Sequence, residues 1–383
     1  MPKTNTPQFY AFQVLSGLEI GFAMPIFVLF FLSKGLGLTE FMGMMSIFNL
    51  SVFLLEVPSG ALADNIGKKT SVILGMVCMA LATLGMIELN GFVALAACFV
   101  IWGLGEALIS GADSALLYDS LENKEAFAQI FGRANTARLS ATVFGTLACG
   151  ASIDYIGLVA PMWGAFAASL IGIVIALTFH EPIGKTSEKK HIGAQIRESI
   201  SIFSNNHHLL IIALLGVVFH RVCGLVERPL SQPLLLQNGF SEATIGYMHS
   251  GFFLVAALGS FWVFRLVKKG DMWAFGSSGA LMVLSLAVLS YAGGNAVVYA
   301  LAGVFLVRGV TFPTVQHSLN QQIPSEQRAT CLSIAKMGSN LSGVILGPLL
   351  GYIADEYSIG ISVAVLQWSF TLFLLILLWN LRK

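Results

Sequence analysis

Charged side chains stand inside stretches of this sequence that are otherwise apolar, and their types suit proton transfer and anion binding. Glu19 lies in the first apolar run, Glu106 and Asp113 in the fourth, Arg221, Glu227 and Arg228 in the seventh, and Arg308 in the tenth. An ionisable group in mid-membrane costs at least about 2.5–3.5 kcal/mol, so such groups mark a substrate or proton path by default. A carboxylate can take up and release a proton, whereas arginine stays charged. Glu19, Glu106 and Asp113 are therefore the proton-coupling candidates, and Arg221, Arg308, Glu227, Arg228, Gln316 and Asn49 the substrate-binding candidates. On a continuous fourth helix Glu106, Ser110 and Asp113 share one face, as do Arg221 and Arg228 on the seventh. A structural reading stands beside this one. Glu19 can tie the first helix to Arg221, while Asp113, Glu227 and Arg228, nearer helix ends, can snorkel or pair between helices. His220, His249 and His317 read as hydrogen-bonded structural residues.

The elements that must hold these groups are membrane spans. The 383 residues are 56% hydrophobic and 11% charged, well above the apolar share of a soluble domain. Runs long enough for the hydrocarbon slab fall near 9–33, 39–62, 70–89, 92–117, 132–153, 158–179, 208–236, 242–264, 272–292, 295–318, 331–354 and 359–380. They lack the alternation of a membrane barrel and read as twelve helices. The first is too long for a signal-peptide core and is expected to remain as a helix. Lysine and arginine in the loops collect on one face, with Lys34 alone on the other, which orients the chain with both termini cytoplasmic. A net charge of +1 argues against a nucleic-acid partner. The five cysteines fall in or beside apolar runs without pairing, so neither a disulfide framework nor a metal site is expected.

One loop is long. Residues 181–207 are polar and basic, and Ile192, Ile196, Ile200 and Phe203 recur there at helical spacing, as in a short amphipathic helix on the membrane surface. This linker separates an N-terminal six-helix bundle (1–180) from a C-terminal one (208–383). The halves share weak matches at nearly constant offset: Thr39-Glu40 with Ser241-Glu242, Gly111 with Gly309, and Gly150 and Asp154 with Gly351 and Asp355. Two pseudo-symmetric bundles place a binding site at their interface.

Between the second and third runs stands "LLEVPSGALADNIGKKTSVIL", whose Glu56, Gly60, Asp64, Gly67, Lys68 and Lys69 concentrate polar chemistry at the cytoplasmic junction. Its glycines permit close approach and a sharp turn, and its lysines hold the inner surface. With "GADSALLYDSL" and "IPSEQRATCLS", this stretch resembles the signature G-x-x-x-D-R-x-G-R-K of the major facilitator superfamily, and the likeness covers the whole chain. Asn65 stands where the family usually has arginine, and the corresponding "FRLVKKGD" lacks the aspartate. The resemblance implies that helices 1, 4, 7 and 10 line the central path, and that Asp64 gates by clamping against the start of helix 11, with Glu56 in support. Drug antiporters of the superfamily carry a Gly-Pro motif in helix 5, which reads "GTLACGASID" here without proline. The run "SGVILGPLLGYIAD" in helix 11 is a small-residue packing face.

The expectation is an all-α polytopic protein of the bacterial cytoplasmic membrane, monomeric, with lipid, a small-molecule substrate and protons as partners. It moves a small organic molecule by alternating access, by proton-coupled efflux. Uptake or facilitated diffusion of an anionic or zwitterionic metabolite is the alternative, and a non-transporting receptor or lipid-handling protein the lesser one. No nucleotide-binding loop, His/Cys cluster or nucleophile elbow is present, so no cofactor and no enzyme activity are expected.

Overall fold

In a bilayer the backbone must satisfy its own hydrogen bonds, and this chain does so with helices alone among the described residues. The computed structural model describes residues 5–181, 203, 206–268, 270–323 and 328–381. Its long helical segments are α1 (Thr6–Ser33), α2 (Leu38–Ile66), α3 (Lys68–Glu88), α4 (Phe92–Ser120), α5 (Phe127–Ile156), α6 (Ala160–Thr178), α7 (His207–Gln237), α8 (Glu242–Val267), α9 (Asp271–Tyr291), α10 (Ala296–Gln322), α11 (Arg328–Glu356) and α12 (Ile359–Leu381). Among the described residues, eleven of these segments contain a stretch long and apolar enough to cross a membrane; α11 is the twelfth long helix and stands outside that set. The amphipathic helix expected around Ile192, Ile196 and Ile200 lies outside the described residues.

Three segments are interrupted, and two of the interruptions alter the sequence-based register. In α1 a 3-10 turn at Met24–Ile26 carries Pro25. In α4 the helix stops at Ile109 and restarts at Ala112, across Gly111 at φ 80°, a conformation that favours glycine. In α7 a π-turn at Val226–Leu230 contains Pro229, whose missing N–H and bulky ring are accommodated by the wider turn. Pro58, Pro313 and Pro348 lie inside α2, α10 and α11 without ending them. The expected shared faces therefore fail as periodicity: Gly111 intervenes between Glu106 and Asp113, and the π-turn between Arg221 and Arg228.

Contacts divide the chain into two compact units. One comprises Met1–Leu36, Gly43–Ser187 and Ser241–Ser250; the other Gly37–Met42, Glu188–Phe240 and Gly251–Lys383. Lipid tails are as apolar as leucine, so association of helices rests on close van der Waals packing rather than on escape from water. In the first unit α1 and α5 meet through Gly17, Gly21 and Gly145, where a Cβ on Gly21 would stand 2.8 Å from the Gly145 Cα. There α3 crosses α4 at Gly75 and Gly105, each of whose added Cβ would lie 2.9 Å from the other's carbonyl oxygen. Ser59 and Ser71 donate to the Ala107 and Leu108 carbonyls at 2.8 Å, close to the α4 break. The second unit is centred on Phe219, buried with Phe275 and Phe370 at ring separations of 6.0 and 5.3 Å. There Ser260 of α8 donates to the Gly309 carbonyl of α10 at 2.8 Å.

Candidate functional site

The ionisable groups resolve into one set in each unit. In the first, α1 supplies Gln13 and Glu19, α4 supplies Glu106 and Asp113, and α6 supplies Ser169. The Gln13 amide donates to Asp113 at 3.1 Å, and the Ser114 N–H donates to the other Asp113 oxygen at 2.6 Å. Glu19 neighbours Ser169, whose hydroxyl donates to the Ala165 carbonyl at 3.2 Å, and feels the charge of Glu106, which also acts on Asp113. The guanidinium of Arg138 on α5 acts on Asp113 as well and donates to Asn135 at 2.9 Å. Three carboxylates linked through Glu106, with an arginine acting on Asp113, form a predominantly acidic cluster, able to hold a proton or a cationic group.

In the second unit the π-turn of α7 sends Glu227 inward. Its side chain is 4% exposed, and Arg308 of α10 donates to its Oε2 at 2.5 Å while remaining 39% exposed. The second carboxylate oxygen, Oε1, has no hydrogen-bond partner among the described residues. A buried carboxylate with an unfilled acceptor is unusual, since such groups are normally satisfied. Arg221 takes a different place: its Nε donates to Ser342 of α11 at 3.2 Å, and its guanidinium lies against Gly343, where a Cβ would collide. Arg228, on the π-turn, is exposed. Asn49 donates to the Met45 carbonyl of its own helix at 2.8 Å, and Gln316 is half-buried.

The junction motif is more helical than a loop. The helix α2 continues through Gly60 and Asp64 to Ile66, so only Gly67, at φ 96°, makes the turn. The side chain of Asp64 lies outside the described residues, and with it the expected clamp. Glu56 is half-buried, and its carbonyl accepts from Ser59 at 3.0 Å. The lysines serve their own unit: the backbone N–H groups of Lys68 and Lys69 donate to Glu181 at 2.8 and 2.7 Å, and the Lys68 ammonium pairs with Asp119. Glu181 thus caps the start of α3, a favourable place for an anion. Sequence reasoning did not single out Gln13, Ser169, Arg138, Asp119 or Glu181. Two of them carried a signal: Gln13, a rare amide within an apolar run, and Arg138, a cation within the fifth run.

Comparison with known proteins follows the same lines. The sequence profile of the Major Facilitator Superfamily matches residues 9–223 and 229–382. An uncharacterized MFS-type transporter of Bacillus subtilis (strain 168), YxaM, is 24% identical over 361 residues, covering 88% of each chain. Among solved structures, the nucleoside transporter NupG superposes with a TM-score of 0.83 at 14% identity over 100% of both chains. A POT family transporter in complex with 5-aminolevulinic acid superposes with a TM-score of 0.75 at 14% identity, over 97% of this chain and 95% of its own.

Proposed function

The chain belongs to the Major Facilitator Superfamily, whose members are secondary transporters rather than enzymes, and from that premise we propose that it exchanges protons for a small organic molecule by alternating access, exporting it from a bacterial cytoplasm. One observation carries this reading: Glu19 and Asp113, on α1 and α4, both lie within reach of the Glu106 charge, and the Arg138 cation acts on Asp113. Carboxylates in excess over cations can be neutralised either by protons or by a cationic group of a substrate. Alternate neutralisation of one cluster is exchange, and under an inward proton gradient exchange drives export. The bundles 1–180 and 208–383, joined by the 181–207 linker, are the two bodies that rock.

A second reading, uptake or facilitated diffusion of an anionic or zwitterionic metabolite, draws on Arg308. Its guanidinium is held by Glu227 on one side and remains partly exposed on the other, so it could offer a planar donor fork to a carboxylate or phosphate.

Liposomes containing the protein and a pH-sensitive dye separate the two readings. With substrate added outside, exchange alkalinises the lumen and co-transport acidifies it. A panel of an organic cation, a nucleoside and 5-aminolevulinic acid spans the relevant charges. Acidification, or flux of 5-aminolevulinic acid without proton movement, sinks the exchange mechanism.

A further inference from the structure

We infer that Asp355 is a gating residue, because it caps the first turn of α2 across the fold and its release is required for transport. The first four N–H groups of a helix have no partner within it. At the start of α2 the Leu38 and Thr39 N–H groups donate to the two Asp355 oxygens at 3.0 and 2.7 Å, and the Thr39 hydroxyl adds a third bond at 2.6 Å. Asp355 lies in the last turn of α11, where its negative charge opposes its own helix dipole. Against the start of α2 the same charge is favourable. Its position is thus unfavourable for the helix that bears it and favourable for the helix that it caps.

The backbone is shaped around this contact. A Cβ on Gly37 would stand 2.8 Å from an Asp355 oxygen, and one on Gly351 would stand 2.8 Å from both the Leu38 carbonyl oxygen and the Thr39 Cα. A counterpart exists between α8 and α5. There the Tyr247 hydroxyl donates to Asp154 at 3.0 Å, Thr146 and Ser250 share a hydrogen bond at 2.6 Å, and Gly246 packs on Gly150. The residues involved are among those that repeat between the halves: Gly150 and Asp154 correspond to Gly351 and Asp355, and the helix start at Thr39 to that at Ser241. The division of the chain follows the same pattern. Residues 37–42 group with the unit that holds most of the second half, and 241–250 with the unit that holds most of the first.

The two attachments differ in kind. Ser241 serves the start of α8 itself, receiving the Thr244 N–H at 3.2 Å, so Asp154 takes only a phenol. The start of α2 depends on Asp355 for its Leu38 and Thr39 donors, while Glu40 receives the Gly37 N–H at 3.0 Å. Asp355 is therefore the stronger hold and the one whose loss should shift the conformational balance. When it lets go, residues 37–42 move with the remainder of α2, and the α8 start is released in the same event.

Hydrogen exchange of the protein in lipid nanodiscs, without substrate or a pH gradient, tests this independently of proton coupling. In Asp355→Ala, amides 38–41 should exchange about tenfold faster, on the scale of a lost helix cap. Gating further requires amides 242–250 to accelerate in the same variant, although they do not touch Asp355, and amides 38–41 to accelerate in Tyr247→Phe. Asp355→Asn, which keeps one acceptor oxygen, should give a smaller change of the same pattern and serves if the alanine variant does not fold. Acceleration confined to the mutated attachment in each variant, or no acceleration at all, overturns the assignment and leaves a local cap.

Discussion

The pairing of Arg308 with Glu227 predicts an asymmetric response to mutation. Removing one partner from a buried ion pair costs about 3–5 kcal/mol, chiefly because the other charge is stranded. The two partners are not stranded equally: the Glu227 side chain is 4% exposed and that of Arg308 39%. In Arg308→Met the carboxylate has nowhere to go, so the cost is at least about 3 kcal/mol. In Glu227→Leu the guanidinium can turn toward its exposed side, and the cost falls to about 1 kcal/mol, within the range for losing one hydrogen bond. With both changes no charge remains buried, and stability should return to within about 1 kcal/mol of the starting protein. At roughly 2 °C per kcal/mol for a chain of this size, the midpoints should fall by at least about 6 °C for Arg308→Met and about 2 °C for Glu227→Leu. Thermal unfolding followed by tryptophan fluorescence in one detergent measures all three. Equal losses for the single variants, or a double variant no more stable than Arg308→Met, would refute the reasoning.

Further outcomes follow from the other sites. Glu19→Gln should transport with a pH profile flattened relative to the starting protein in liposome flux; an unchanged profile removes Glu19 from coupling. Glu181→Ala should destabilise by about 1 kcal/mol through loss of the α3 cap, whereas Asp119→Asn, which breaks the exposed pair with Lys68, should cost under about 0.5 kcal/mol in the same melts. Gly105→Leu inserts a side chain where α3 and α4 nearly touch and should lower the yield of folded, monodisperse protein on size-exclusion chromatography, with an overpacking cost of about 1–3 kcal/mol or more.

Much of the architecture was legible because hydrocarbon imposes a length and a polarity on each span. The apolar runs mark the helices, and the Glu19, Glu106, Asp113, Arg221, Glu227 and Arg308 set stands out because charge is rare there. Register was less legible. Gly111 and Pro229 were visible as letters, but whether a glycine breaks a membrane helix, or a proline is absorbed in a π-turn, depends on neighbours distant in sequence. Partners were the least legible. Nothing local to Lys68 names Asp119 or Glu181, and Asp355 showed only as one member of a faint repeat until the fold set it on Leu38 and Thr39.

The ammonium of Lys34, in the turn between α1 and α2, is occupied. It donates to the Ile87 and Leu89 carbonyls at 2.7 Å each and to Asn90 at 3.3 Å, closing the end of α3. The cation thus stands at the carbonyl end of α3, where the helix dipole favours a positive charge.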